Sequence, residues 1–385
     1  MYRILTSSIK ENTNKIRVLL GPRQVGKTTL LKNSFSEGTY INLERSNFIE
    51  IFNSRDIQHI KDLLHRENAG KPVKTIILDE VQRLDDPGLV VKVLYDEWKN
   101  IEIIISGSSS LEIANRSSES LAGRKKTFKL YPLSFKEKLI QEGKLALPNN
   151  NSINFHIYSL SQFSNELKEA MQFGLYPELL NIEDKFSYLL ELVDSAILKD
   201  VFYLNLVKDT KNLFSLLKLL AYQIGQQINI SELSHRIGIE RSTVLNYLGI
   251  LKKTFVIYTL TPYTKKRRDE IGKTEKIYFY DLGVRNAIIN DFSPVEFRND
   301  YGSIFENFVI NELTKLNSYY NLHFKEYYWR TKWGSEVDLI LQHDNQLFAI
   351  ECKLRKGSIT SAFKNTYPNA EEKVVTLDNI EGMIL

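Results

Sequence analysis

The sequence predicts an α/β protein with a parallel sheet around a phosphate-binding loop near its N-terminal end and a smaller α/β unit near its C-terminal end. Three stretches carry that prediction. Val18 to Leu30 reads Val-Leu-Leu-Gly-Pro-Arg-Gln-Val-Gly-Lys-Thr-Thr-Leu: an apolar run, a glycine-bounded loop and the start of a helical pattern. Lys74 to Glu80 is an apolar run closed by Asp79 and Glu80, the pattern of a buried parallel strand whose carboxyl end carries charge. Glu336 to Leu354 reads as two strands about a short polar turn, with Asp338, Glu351 and Lys353 set among apolar residues.

A chain of 385 residues has room for about two to four domains. Its hydrophobic fraction of 43% suffices for several cores, and a net charge of +4 neither requires nor excludes a nucleic-acid partner. The single cysteine, Cys352, excludes an intramolecular disulfide and fits a cytoplasmic location. There is no 18-residue apolar run, so no membrane span is expected. Met1 to Glu11 lacks the apolar core of a signal peptide. Neither repeats nor low-complexity tracts are evident.

Residues 15–20 form the first strand and enter the loop. Gly21 and Gly26 let the backbone curl so that successive N–H groups face one anion. Pro22, Arg23, Gln24 and Val25 fill the loop, and the helix continuing through Thr29 adds its positive end. Lys27 then reaches the β- and γ-phosphates, and the Thr28 hydroxyl can ligate Mg²⁺. ATP or ADP with Mg²⁺ is the ligand this implies. Tyr40 to Leu43 is a second strand, and residues 47–66 carry helical spacing. Ligands in open α/β sheets bind at the carboxyl ends of strands, so Asp79 is expected to help hold Mg²⁺ and Glu80 to polarise the attacking water. Alone, such an acidic strand end reads equally as solvation; fifty residues after a phosphate loop it gains meaning. Asp86-Pro87 starts a helix. The strand from Ile101 to Ser106 runs into Ser108-Ser109-Ser110; the polar residues at that strand's end, Ser106 among them as a nucleotide-binding residue, could sense the γ-phosphate or position water, or simply make a turn.

Taken in order, Gly21 to Thr29, Leu78-Asp79-Glu80-Val81-Gln82, Ser106 to Ser110, Ser120-Leu121-Ala122-Gly123-Arg124 and Tyr131-Pro132-Leu133-Ser134-Phe135 resemble the AAA-type ATPases of archaea and bacteria that carry a C-terminal domain of the restriction-endonuclease-like kind. Gly174-Leu175-Tyr176-Pro177-Glu178 is similar to that family's Gly-Gly-Tyr-Pro-Glu, with Leu175 in place of the second glycine. Ser106 stands where relatives often have Thr. The resemblance spans nearly the whole chain and implies a P-loop AAA-like ATPase core with ATPase activity. The fold class expected is therefore α/β: this core, a helical connector, a winged helix-turn-helix and a C-terminal α/β restriction-endonuclease-like domain.

Arg124 follows Ala122-Gly123 in a loop that could reach a neighbouring subunit's nucleotide, where an arginine finger would stabilise γ-phosphate charge; the bland alternative is a structural ion pair. The finger would imply a homo-oligomer. Leu147 to Ser152 reads as a linker, so the ATPase domain is placed at 1–150. Residues 151–222 read as a helical connector and 223–282 as a winged helix-turn-helix. In the latter Asn229 caps one helix, Gly238 makes the turn, and a second helix from about Glu240 turns Val244, Leu245, Leu248 and Leu251 inward. Arg241, Ser242, Thr243 and Asn246 then face outward, as in a recognition helix. The basic tip Lys265-Lys266-Arg267-Arg268 would sit on the phosphates of DNA or RNA. A protein-docking surface is the alternative.

In the last segment, 283–385, a helix holds Phe305, Glu306 and Phe308. If Asp344 and Asn345 form a two-residue turn, residue 343 pairs with 346, 341 with 348, and Asp338 faces Glu351 about 5 Å away. Lys353 shares that face. Two carboxylates and a lysine on an apolar hairpin are costly unless they bind something. The order helix-strand-strand-strand-helix-strand with Glu…Asp…Glu-x-Lys is similar to the PD-(D/E)xK nuclease fold. That likeness implies Asp338, Glu351 and Glu306 as Mg²⁺ ligands and Lys353 as the residue that orients water or stabilises the transition state, with a self-neutralised salt-bridge cluster as the alternative.

Overall fold

The computed structural model describes residues 1–107, 121–147, 163–197, 209–264 and 274–380. Ser108 to Ser110, Ser120, most of the expected linker and the Lys265–Arg268 tip lie outside the described residues. The chain divides into two compact units, Met1–Tyr131 with Lys253–Phe255, and Pro132–Lys252 with Val256–Leu385.

In the first unit, helix α1 (Leu5–Lys10) leads to β1 (Ile16–Leu20), α2 (Lys27–Ser34) and β2 (Thr39–Asn42). Then come α3 (Ser46–Ser54), α4 (Ile57–Glu67), β3 (Thr75–Asp79), α5 (Pro87–Glu97), β4 (Glu102–Gly107) and β5 (Lys125–Lys129). The helical stretch read over 47–66 is two helices. Arg55 adopts a left-handed conformation that ends α3, and the Asp56 carboxylate accepts from the Gln58 and His59 amides to start α4. Asp86 caps α5 in the same way through Leu89 N.

All five strands are parallel, in the order β2-β3-β4-β1-β5. Such a sheet is covered on both faces, which is why β1, β3 and β4 are nearly uninterrupted apolar runs. Arg17 is the exception within β1. Its buried guanidinium donates to Ile9 O and Glu11 O at 2.8 Å each and to Glu102 Oε1 at 2.5 Å, so the charge is matched where it is desolvated.

In the second unit, α6 (Phe135–Gln141), α7 (Ser164–Phe173), α8 (Lys185–Glu191), α9 (Thr210–Tyr222), α10 (Ile230–Ile237) and α11 (Arg241–Lys253) precede a hairpin of β6 (Ile257–Pro262) and β7 (Lys276–Phe279). Helices α12 (Leu282–Ile289) and α13 (Tyr301–Tyr319), strands β8 (Lys325–Arg330), β9 (Glu336–His343) and β10 (Gln346–Cys352), helix α14 (Ser361–Thr366) and β11 (Glu371–Val375) follow. The sheet is mixed, in the order β11-β10-β9-β8-β6-β7. Strand β6 joins β8 in parallel through Thr261↔Tyr327 and Pro262↔Tyr328. One sheet therefore crosses residue 282, where the winged helix-turn-helix was expected to end.

Helix α13 is the spine of this unit. Phe305, Phe308 and Val309 enter the core, with Phe308 meeting Phe135 edge-on at 5.8 Å. Glu312 accepts from Phe135 N at 2.7 Å, and Lys315 donates to Leu133 O at 2.8 Å and to Glu312 at 2.7 Å. The Leu133-Ser134-Phe135 segment is thus held by a buried ion pair, while Ser134 and Glu137 form a capping box on α6. In the Gly174 to Glu178 stretch, Leu175 N donates to Asp281, which also caps α12 through Val284 N.

Candidate functional site

The loop after β1 closes against β5. The two glycines act for different reasons. Gly26, at φ +88°, is in the left-handed region and ends the loop. Gly21 has no such backbone; a Cβ there would lie 2.2 Å from Leu130 O. Space, not curl, requires it. The remaining left-handed residue of the loop is Gln24, at φ 60°.

Helix α2 begins at Lys27 with no side chain capping its first amides, unlike the Asp-capped α4 and α5. Those N–H groups and the helix dipole form an anion site. Buried Lys27 donates Nζ to Gly21 O at 2.9 Å and Pro22 O at 2.8 Å, folded back along the loop that it closes.

Strand order then assembles the acidic side. Strand β4 lies between β1 and β3, with Leu19 opposite Ser106 and Leu78 opposite Ile105. The Asp79 carboxylate accepts from Thr28 Oγ1 at 2.5 Å, from Tyr40 O–H at 2.6 Å and from Ser106 Oγ. Three hydroxyls thus converge on one buried carboxylate at the carboxyl ends of the strands. Burial pushes the Tyr40 phenol up, and its bond to Asp79 adds to this, so Tyr40 remains a donor. A hydroxyl and a carboxylate side by side suit Mg²⁺, which takes few protein oxygens and keeps several waters; Thr28 and Asp79 fit that ion.

Glu80 adopts φ 59°, ψ 43°, a left-handed conformation rare for a side chain of its kind. Its carboxylate accepts from Gln82 Nε2. Arg124 is elsewhere. Its carbonyl accepts from Ile16 N at 2.8 Å, at the amino end of β1, a strand length of roughly 16 Å from the loop. Its guanidinium pairs with Asp96 at 3.4 Å, both side chains being exposed. Within one copy it does not face the phosphate loop. Sequence reasoning missed Tyr40, Gln82 and Arg3. The buried Arg3 guanidinium donates to Val25 O at 3.1 Å and Tyr131 O at 2.6 Å, bracing the loop from behind.

In the second unit, β9 and β10 pair with His343 opposite Gln346 and Leu339 opposite Ile350, the register of a two-residue turn, and Asp338 accepts from Cys352 N at 2.8 Å. Lys353 Nζ lies 2.6 Å from Glu351 and 3.9 Å from Asp338. A second lysine, absent from the sequence reading, enters from β7: Lys276 Nζ lies 3.1 Å from Glu306 and 3.8 Å from Asp338 and touches Glu336. Tyr278 O–H donates to Glu306 at 2.7 Å. Burial, with the Asp338 charge beside it, pushes Glu306 up to about 7. Burial would lower Lys276, but Glu306, Asp338 and Glu336 together raise it. Among the described residues, no three acidic, histidine or cysteine side chains are arranged to hold a metal ion. The ligand set expected at Glu306, Asp338 and Glu351 thus does not fit a divalent cation as it stands, because ammonium groups occupy the space between the carboxylates.

Helix α11 turns Arg241, Ser242 and Asn246 outward, with Thr243 partly covered. Leu245, expected inward, is 57% exposed; Tyr247 takes the buried position. Leu245 and Arg241 line an open groove of about 770 Å³ with Asn229, Ser231 and Lys252.

This geometry defines the first unit as a P-loop nucleotide-binding domain of the ATPase type, and a family model described as an AAA domain matches residues 13–139. Models of two domains of unknown function match residues 164–294 and 301–379. The chain is similar to an uncharacterised protein of Methanocaldococcus jannaschii, 27% identical over 98% of this chain and 83% of that protein. Uncharacterised proteins of Haemophilus influenzae (26% identical, 79% of this chain, 76% of that protein) and Mycobacterium tuberculosis (27%, 87% and 69%) are also similar. Among solved structures, a Walker-type ATPase of Pyrococcus abyssi aligns over 74% of this chain and 93% of its own, with a TM-score of 0.43 and 18% identity. No described helix is long and apolar enough to cross a membrane.

Proposed function

We propose that this chain hydrolyses ATP at the loop Gly21–Thr29 and the acidic strand end Asp79–Glu80, and that the second unit carries the output to a partner. The observation behind this is the meeting of Thr28, Ser106 and Tyr40 on Asp79 beside a lysine-bearing loop. On nucleotide entry the Lys27 ammonium exchanges the Gly21 and Pro22 carbonyls for β- and γ-phosphate oxygens. Thr28 and Asp79 would hold Mg²⁺, which when bound would offset the charge on the phosphates. Glu80, held by Gln82, orients a water for attack on the γ-phosphorus, giving ADP and phosphate. Arg124 would serve a neighbouring copy, since within its own copy it lies at the opposite end of the sheet. Lys27→Ala should weaken ATP binding at least tenfold. Glu80→Gln should bind ATP within about threefold of wild type and lose turnover by 10² or more. Full nucleotide affinity in the Lys27 variant would refute the assignment.

For the second unit, the outward residues of α11 and the basic Lys265–Arg268 stretch support contact with DNA or RNA through a winged helix. A second reading, a nucleotide-dependent switch whose nuclease-like fold does not cleave, is favoured by one observation: two lysines stand among the acids of the Glu-Asp-Glu-x-Lys set.

A further inference from the structure

The lysine that β7 contributes is not part of the helix-strand-strand-strand-helix-strand set that suggested a metal site. It comes from the preceding hairpin, through a strand that is antiparallel to β6 and lies at the sheet edge. We propose that Lys276 is a resident cation that takes the place of a divalent metal, making the C-terminal charge cluster metal-independent.

The geometry separates the two lysines. Lys276 is 1% exposed, and its ammonium is shared by Glu306, Glu336 and Asp338. Leaving would take from Glu306 the cation that pairs with it and leave Glu336 to Arg330 and Asp338 to the more distant, exposed Lys353. The Lys353 side chain is 45% exposed and can swing into water at little cost. Lys353 is therefore displaceable and Lys276 is not.

The distances agree. Lys276 donates a hydrogen bond to Glu306 at 3.1 Å and stands in ion-pair range of Asp338 at 3.8 Å, spacings that suit an ammonium among carboxylates. Mg²⁺ needs oxygens at about 2.0–2.1 Å in octahedral array, and the carboxylates cannot close to that spacing with an ammonium between them. The charges agree as well. Glu306, Glu336, Asp338 and Glu351 face Lys276, Lys353 and Arg330, the last 3.1 Å from Glu336: four carboxyl groups, all of them negative once Glu306 is ionised above about 7, against three positive ones. A divalent ion added to that set would overshoot neutrality, whereas without Lys276 it would meet a net charge of −2. Glu351 Oε2, buried and without a hydrogen-bond partner, is the oxygen such an ion would meet first.

The test is Mn²⁺ alone, titrated calorimetrically into the full chain without nucleotide, so that any contribution of the phosphate loop is common to all variants. Wild type and Asp338→Asn should give the same Mn²⁺ isotherm. Lys276→Met should gain at least tenfold in Mn²⁺ affinity, and adding Asp338→Asn to it should remove that gain. Lys276→Arg, which keeps the charge, should match wild type. Because Lys276→Met leaves buried acids unpaired, the double variant Lys276→Met/Glu336→Gln, which removes one charge of each sign, serves if the single variant does not fold. Mn²⁺ binding by wild type that Asp338→Asn abolishes would overturn the proposal, whatever the lysine variants do. So would a folded Lys276→Met or double variant that binds no more tightly than wild type.

Discussion

The two glycines of the phosphate loop should fail differently when replaced. At Gly21 a Cβ would sit 2.2 Å from Leu130 O and 3.2 Å from Leu130 C. An ordinary carbon–oxygen contact is about 3.3 Å, so the β5 end must retreat by about 1 Å. That retreat strains the Leu130 N–H to Leu20 O bond, now 2.7 Å. Losing one ladder bond costs about 1 kcal/mol, and overpacking of a closed site adds about 1–3 kcal/mol. Gly21→Ala should thus lower stability by roughly 2–4 kcal/mol. At about 3 °C per kcal/mol for a unit of this size, the ATP-sensitive unfolding transition should fall by roughly 6–12 °C. At Gly26 no atom lies within 4 Å of the added Cβ, and the whole cost is the left-handed backbone, about 1–2 kcal/mol. Asn tolerates that conformation, so Gly26→Asn should recover part of the loss seen in Gly26→Ala, whereas Gly21→Asn should be no better than Gly21→Ala. Differential scanning calorimetry of the four variants, with and without ATP, reads this directly. A Gly21→Ala protein melting with wild type, or rescue by Asn at Gly21 and not at Gly26, would refute the reasoning.

Three further outcomes are expected. Tyr40→Phe removes one of three hydroxyls on Asp79 and should raise the Mg²⁺ concentration needed for half-maximal ATP binding about three- to tenfold, without changing Mg²⁺-free binding; an unchanged Mg²⁺ requirement would leave Tyr40 a packing residue. Mixing inactive Arg124→Ala with inactive Lys27→Ala protein should restore turnover, because each copy supplies what its neighbour lacks; no recovery at any ratio would remove the finger. Glu306 titrates near 7 in the fold against an ordinary 4.5. Its contribution to stability is therefore complete below pH 4.5 and lost as pH rises through 7. The melting temperature of wild type relative to Glu306→Gln should fall by several degrees across that window, and a gap independent of pH would contradict it.

What the sequence disclosed follows from how local each feature is. Strands β1, β3 and β4 are readable because parallel strands buried on both faces leave uninterrupted apolar runs, as in Thr75–Asp79, whereas the edge strand β5, Lys-Lys-Thr-Phe-Lys with one buried residue, leaves none and was not read from the sequence. The register of β9 and β10 follows from a two-residue turn. Partners distant in sequence were not legible. Lys276 meets Glu306, Glu336 and Asp338 only because β6 joins β8, and nothing near Lys276 signals that pairing. Tyr40 reads as an ordinary strand residue until β2 is placed beside β3. Leu245 looked inward because apolar spacing gives a helix a face but does not say what covers each turn of it; Tyr247 filled the place instead.

The joining of β6 to β8 sets where this chain can be cut. A fragment beginning after residue 282 would keep the Glu-Asp-Glu-x-Lys set yet lose both strands of the hairpin. Strand β8, with Tyr327, Tyr328 and Trp329, would then become a bare sheet edge, a template for intermolecular pairing. The same cut removes Lys276 and leaves Glu306, Glu336 and Asp338 to repel one another. During synthesis the hairpin must wait for some fifty further residues before its neighbour in the sheet exists, a long loop to close. Biochemists dissecting the protein should expect the C-terminal segment by itself to be insoluble, and to become tractable once the chain is started upstream of Ile257.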